Sequence, residues 1–356
     1  MKSQPVILSE AKDPMHACST CGEAGSPQNA HSFVDTEDAS KHMSPVPGDF
    51  QLAHAPAASG WSRLPAEYGI PESAPSLDES QAYCRRLART HYENFSVATW
   101  FLPKKLRQDF LNVYAYCRIS DDLGDEVGDA SASLALLDEW QGQLDACYAG
   151  APRHPVFVAL AETVRKFDIP KHEFSDLLIA FRQDQTMTRF RTFDDVLGYC
   201  RYSANPVGHL VLYLCGYRDA ERQQLSDYTC TALQLANFWQ DVSIDYGKGR
   251  IYLPLEDLRR YSVGEDDLAH NRNTPAFCEM LKFEVERARQ WFRRGLPLVG
   301  KVDKALAVDL ELFSRGGQEI LNAIERQGFA VLGRRPVISK TRKLALVARA
   351  ALGKLL

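Results

Sequence analysis

Two short acidic runs carry the chemistry in this sequence. In Arg118-Ile-Ser-Asp121-Asp122-Leu-Gly-Asp125-Glu126, Asp121 and Asp125 stand four residues apart. In Asn237-Phe-Trp-Gln-Asp241-Val-Ser-Ile-Asp245, Asn237, Asp241 and Asp245 repeat that interval. Residues four apart share one face of a helix, so each run predicts a column of oxygen ligands. Two such columns turned toward each other would form a cage for hard divalent cations. Mg²⁺ suits such a cage, because it takes oxygen ligands and fills its other positions with water and phosphate oxygens. The predicted ligands are Asp121, Asp125, Asn237, Asp241 and Asp245.

The elements that must hold these columns read as helices. Ser76-Leu-Asp-Glu79 is a capping-box pattern that opens a helix to about Tyr92. Pro103 sits at the first turn of the next, which runs to Glu126. Helical periodicity follows over about 131–149, 154–168 and 171–188. Thr192-Phe-Asp-Asp195 caps a helix to about Gly216, and another spans Asp219 to Tyr246, closed by Gly247 and Gly249. Two more cover about 275–296 and 302–327. No alternating strand pattern occurs, so the expected fold class is all-α.

The usual fate of an acidic cluster is a solvated helix face, and helical phase argues against it here. At about 100° per residue, Phe110, Tyr114, Asp121 and Asp125 fall within roughly one 60° stripe, so the carboxylates continue a face that aromatics should bury. In the second run, Cys230, Gln234, Asn237, Asp241 and Asp245 form a narrow polar stripe. Leu233, Leu235, Ala236, Phe238, Trp239, Val242 and Ile244 surround it, the pattern of a buried helix. Buried carboxylates without partners repel one another and carry a desolvation cost of roughly several kcal/mol each, which bound cations would relieve. Arg118, one turn before Asp121, suits either a bidentate grip on a phosphate or a structural ion pair with its acidic neighbours.

With 356 residues, 45% hydrophobic, the chain can build a large core, and a net charge of −4 gives no case for nucleic-acid binding. No apolar run reaches the length of a membrane span; the best, Val207 to Leu214, is interrupted by His209. An odd number of cysteines scattered through helices reads as reduced thiols in a cytoplasmic protein. Residues 1–72 are rich in Pro, Gly, Ser and Ala without sustained period and read as a disordered extension. Within it His16, Cys18 and Cys21 resemble half a zinc site with no second ligand pair, and Met43 is an alternative start. The folded domain is expected over 73–330 and a basic amphipathic helix over 331–356. From Arg334 onward the tail holds seven basic residues and no acidic one, with Leu344, Val347, Ala348, Ala351 and Leu355 on one face. That pattern suits a helix lying peripherally on an anionic membrane surface, and equally a solvated basic end packed on the body.

At these residues the sequence resembles the head-to-head isoprenyl synthases, the squalene and phytoene synthases, over about residues 76–330. Tyr114-Ala-Tyr-Cys-Arg118-Ile-Ser-Asp121-Asp122-Leu-Gly-Asp125 resembles the first aspartate-rich motif of that family. Gln234-Leu-Ala-Asn237-Phe-Trp-Gln-Asp241-Val-Ser-Ile-Asp245, followed by Gly249-Arg250-Ile251-Tyr252-Leu253-Pro254, resembles the second. The resemblance implies one α-helical isoprenoid-synthase domain, with Mg²⁺ holding a prenyl diphosphate in a central cavity. It further implies catalytic roles for Asp121, Asp125, Asp241 and Asp245, assisted by Arg118 and Arg250. Tyr114, Phe95 and Tyr202 are candidates to face a carbocation, or else plain core; Asn94, Gln234, Asn237 and Tyr252 are candidate substrate contacts.

His91-Tyr-Glu-Asn-Phe95-Ser-Val-Ala98 and Tyr199-Cys-Arg-Tyr-Ser-Ala-Asn-Pro-Val-Gly208 are similar to the bacterial hydroxysqualene synthases of the squalene route that feeds hopanoids. Glu93 and Gln240 stand where the wider family often carries a basic residue, removing charge that could hold a second diphosphate. The Val-Ala-Gly segment common in that family is replaced by Ser203-Ala-Asn-Pro206. The expected substrate is therefore presqualene diphosphate, with companion enzymes of the squalene route as partners. The alternatives are head-to-head condensation of prenyl diphosphates such as farnesyl diphosphate, and a non-catalytic assembly factor on the same fold.

Overall fold

The computed structural model describes residues 60–90 and 103–355. The expectations placed on residues 1–59, and those on Glu93, Asn94 and Phe95, lie outside the described residues. Among the described residues the chain is all-α, as expected; extended pairing is confined to an isolated bridge between Arg189 and Ile251.

The segment read as a disordered extension to residue 72 is ordered from Gly60. Short 3₁₀ turns at Gly60–Arg63 and Ala66–Tyr68 are pinned by long-range bonds. Trp61 donates to Glu139 at 2.7 Å, and the Tyr68 hydroxyl, on a residue only 1% exposed, donates to Asp122 at 2.8 Å. Composition hid this anchoring, because the partners lie more than fifty residues away. Helix α1 (Leu77–Thr90) starts at the expected capping box: Glu79 accepts from the Ser76 amide at 2.9 Å. Then come α2 (Arg107–Asp125), α3 (Ala130–Tyr148), α4 (Pro155–Phe167) and α5 (His172–Gln183). Their inward faces meet around Trp140, Tyr116, Phe157 and Phe174.

Helix α5 stops short of the expected residue 188 because the chain turns there to present Thr188, whose carbonyl accepts from Ile251 at 2.9 Å. The helix expected from Thr192 to Gly216 is two, α6 (Phe193–Ser203) and α7 (Asn205–Leu214). Pro206, with no N–H to continue the ladder, accounts for the break. The helix expected over 219–246 is likewise α8 (Ala220–Gln240) and α9 (Val242–Gly247), with Asp241 at φ −106° and ψ 15° between them. Helical bonds nevertheless continue through the joint, Asp241 to Asn237 and Asp245 to Asp241, both 2.9 Å, so the column survives. Two short helices, α10 (Leu255–Arg260) and α11 (Glu265–Ala269), lacked a legible signal. The domain closes with α12 (Pro275–Gly295), α13 (Lys304–Arg326) and the C-terminal α14 (Lys340–Leu355).

Every residue of α8 from Thr229 to Gln240 is buried, as its apolar surround predicts. Helix α12 lies against it so closely that a methyl on Gly295 would stand 2.2 Å from Thr229 Oγ1 and 2.9 Å from the Thr229 amide nitrogen. Gly295→Ala should therefore lever α12 off α8 and destabilise the protein by about 1–3 kcal/mol, the usual cost of overpacking. A urea midpoint equal to the parent's would refute this close packing.

Helix α7 is tied to its neighbours by His209, whose Nδ1 lies 2.9 Å from Glu173 on α5 and whose Nε2 lies 2.7 Å from Asp227 on α8. Burial alone would lower the His209 pKa; the bonds to Asp227 and Glu173 outweigh it and push it up to about 9. A histidine with a raised folded-state pKa gives stability that is complete below its unfolded value of about 6.5 and lost as pH climbs through the folded value. The stability difference between the parent and His209→Gln should thus shrink between about pH 6.5 and pH 9. Thermal melts across that range test it; a pH-independent difference would show that the imidazolium charge does not matter.

Candidate active site

Helix α2 carries the first acidic run and α8–α9 the second, and both are withdrawn from water. Asp121 is 3% exposed, Asn237 1%, and Asp241 and Asp245 each 2%. The runs meet at their C-terminal ends. Asp125 receives Lys248 Nζ and Arg250 Nη1, each at 3.2 Å, from the turn that follows α9. That turn is set by Gly249 at φ +80°, a left-handed conformation that suits glycine. It lets the Arg250 amide reach back to the Asp245 carbonyl at 2.8 Å and directs its side chain across to α2.

Asp245 lies beneath this junction, and among the described residues neither of its carboxylate oxygens has a hydrogen-bond partner. Burial, with the neighbouring charges of Asp241 and Asp125, holds its carboxyl well above the usual range despite Lys248 and Arg250 nearby. Sequence reasoning missed Asp184, just past α5. It accepts from Tyr199 at 3.0 Å, and burial first, with Asp125 adding repulsion, pushes it up to about 7 against the pull of Arg250. Arg250 also donates to the Asp184 carbonyl at 3.2 Å. Above the junction, Tyr252 stacks on Phe238 with centroids 3.9 Å apart, and Phe190 and Tyr199 complete an aromatic cluster. A cavity of about 10 Å³, lined by Phe238, Asp245, Arg250 and Tyr252 among others, opens between these rings and the acidic column.

Other predicted residues take different places. Arg118 forms a fork with Asp122, Nε to Oδ2 at 2.9 Å and Nη2 to Oδ1, and stands 3.7 Å from Asp121, so the structural ion pair left open by the sequence is present. Tyr114 is 3% exposed, and burial raises the pKa of its phenol. Gln234 is buried, with Oε1 unbonded among the described residues. Tyr202 carries the Arg201 guanidinium over its ring at 5.7 Å, whereas Tyr199, one turn earlier, is the α6 aromatic that touches the acidic junction.

Arg335 was also missed as a site residue. It arrives from the segment after α13, pairs Nε with Asp241 Oδ1, and donates Nη2 to Asp241 Oδ2 and Gln240 Oε1, both at 3.0 Å. Gln240 in turn donates to the Pro336 carbonyl at 2.6 Å, and the Gly333 amide to Ser243 at 2.9 Å. The segment through Pro336 thus belongs to the body, and the separate C-terminal helix begins later than the expected residue 331. The cage predicted from spacing is not closed. Among the described residues no three His, Cys, Asp or Glu side chains stand together as a metal site. Asp121 faces Arg118, Asp125 faces Lys248 and Arg250, and Asp241 faces Arg335. The donor set still fits a divalent cation: all are oxygens, and the buried oxygens of Asp245 have no bonded partner among the described residues.

The family model for squalene/phytoene synthase matches residues 88–342, spanning both acidic runs and Arg335. The chain belongs to the squalene/phytoene synthase family. Members are isoprenoid synthases acting on prenyl diphosphates. Among solved structures, the squalene synthase HpnC from Alicyclobacillus acidocaldarius is 42% identical, covering 76% of this chain and 98% of that one with a TM-score of 0.68. A dehydrosqualene synthase is 26% identical, covering 78% of this chain and 96% of its own, with a TM-score of 0.70. By sequence, the 15-cis-phytoene synthase of Synechocystis sp. is 29% identical across 84% of this chain and 92% of its own. The squalene/phytoene synthase family uses the isoprenoid-synthase fold, which these helices reproduce.

Proposed function

We propose that the protein is a hydroxysqualene synthase, converting presqualene diphosphate and water to hydroxysqualene and diphosphate. The observation that carries this reading is its 42% identity to the HpnC squalene synthase over nearly all of that chain, against 29% to the Synechocystis phytoene synthase. Gln240 itself adds no positive charge before Asp241, and the guanidinium beside it, that of Arg335, is already committed to Asp241.

In this reading Asp121, Asp125, Asn237, Asp241 and Asp245 would hold Mg²⁺. When bound, it supplies Lewis-acid stabilisation and orientation of the departing diphosphate. Arg250 and Lys248, already turned to the acidic junction, exchange Asp125 for the phosphate oxygens. The C–O bond breaks with its electron pair leaving on diphosphate, and the cyclopropylcarbinyl cation rearranges. Tyr252 and the Phe238 ring beneath it keep water away and offer π-faces, each giving roughly 0.5–2 kcal/mol to a nearby cation. Water then adds through oxygen and releases a proton. The substrate requires an upstream head-to-head condensation of two farnesyl diphosphates. A cytoplasmic enzyme with peripheral membrane contact completes the reading.

Condensation of two prenyl diphosphates is the second reading, favoured by the phytoene synthase similarity along 84% of the chain. Incubation with Mg²⁺ and either presqualene diphosphate or farnesyl diphosphate, with the lipid extract identified by mass, separates them. Hydroxysqualene from presqualene diphosphate is the expected product; turnover of farnesyl diphosphate alone would replace the first reading with the second.

A further inference from the structure

Helix α14 is anchored to α13 by Arg342, which donates to Glu319 at 3.0 Å, with Leu346 half-buried toward the body. Of the face read from the sequence as apolar, Leu344 and Ala348 are turned outward. Leu344 is 71% exposed, and Ala348, one turn on, is exposed as well. Val337, just ahead of the helix, is 65% exposed, so the two most exposed large hydrophobic residues among those described both lie on this short stretch. Lys340 stands one turn before Leu344, and Lys343 lies beside it; neither has an ion-pair partner among the described residues. An outward apolar stripe flanked by lysines, on a tail with seven cations and no anion in a chain of net −4, has one complementary surface. That surface is apolar just below a layer of negative charge.

We propose that α14 docks on an anionic phospholipid bilayer. Leu344, Ala348 and Val337 enter the boundary between headgroups and acyl chains, and Lys340 and Lys343 meet the lipid phosphates. Docking does not depend on which prenyl diphosphate the enzyme uses. It does fix how the catalytic body sits on the membrane, because Arg335, five residues before α14, is fastened to Asp241.

The test is flotation of the purified full chain with vesicles of phosphatidylcholine alone, or of phosphatidylcholine and phosphatidylglycerol in equal parts. Binding is expected to the mixed vesicles only, weakening as salt is raised. Leu344→Glu and the double change Lys340→Glu with Lys343→Glu should each weaken binding by about tenfold or more. All three side chains are partly or fully exposed, so both variants should melt with the parent, and product formation in detergent should not change. Absence of binding to either vesicle would overturn the proposal, as would binding that Leu344→Glu leaves intact. So would a concentration-dependent dimer in sedimentation that Leu344→Glu abolishes, which would make a second copy the occupant of this face.

Discussion

Replacing Asp245 by asparagine is expected to abolish turnover while making the metal-free protein more stable. The residue is 2% exposed, neither carboxylate oxygen is hydrogen-bonded among the described residues, and Asp241 and Asp125 repel it. Asparagine keeps the shape and removes the charge. In chelator, relief of that repulsion should stabilise the fold by about 1–3 kcal/mol, the scale of one unsatisfied buried polar group. With Mg²⁺ and substrate, product formation should fall on the order of 10³-fold, because in the function proposed above Asp245 would be a metal ligand, and losing it would sacrifice several kcal/mol of charge stabilisation at the leaving group. Stability gained where activity is lost marks a site kept strained for function. Full activity in Asp245→Asn, or a lower melting temperature in chelator, would sink the assignment.

Arg335→Ala should show the opposite dependence on metal. In the absence of cations Arg335 is the partner of a carboxylate that is 1% exposed at its side chain. Removing it leaves that charge alone, at a cost on the order of 3 kcal/mol. A divalent cation can take over the same charge, so the variant gains more from Mg²⁺ than the parent does. The deficit should narrow by roughly 1–2 kcal/mol when denaturation is repeated with saturating Mg²⁺, the thermodynamic signature of tighter binding to the folded variant. An identical deficit with and without Mg²⁺ would mean that Arg335 and the cation do not share Asp241.

Much of this architecture could be read in the sequence because its signals are local. The capping boxes at Ser76 and Thr192, the caps at Asp219 and Thr274, and the apolar surround of the second acidic run each act within a few residues. They set helix starts and the burial of the columns. The partners of the acidic residues were not legible, because folding brings them from afar. Arg335 lies 94 residues from Asp241, and Arg250 lies 125 from Asp125. Asp184 carries no signal in the sequence, because a single acid at a helix end looks like an ordinary solvated residue. Its contacts with Tyr199 and Arg250 exist only once α5, α6 and the turn after α9 converge. The sequence points to Tyr202 rather than Tyr199 for the same reason: both lie on α6, and only tertiary packing decides which meets the acids.

The bond between Tyr68 and Asp122 sets a rule for anyone trimming this protein for expression. Asp122 shares its oxygens between that phenol and Arg118, whose guanidinium also leans toward Asp121. A truncation that discards Gly60–Tyr68 removes a donor from a water-poor pocket. It leaves Asp122 pulling harder on Arg118, and so shifts the charge that Asp121 feels. Such a clone would still carry both aspartate-rich runs intact, yet would start from a first column already out of tune.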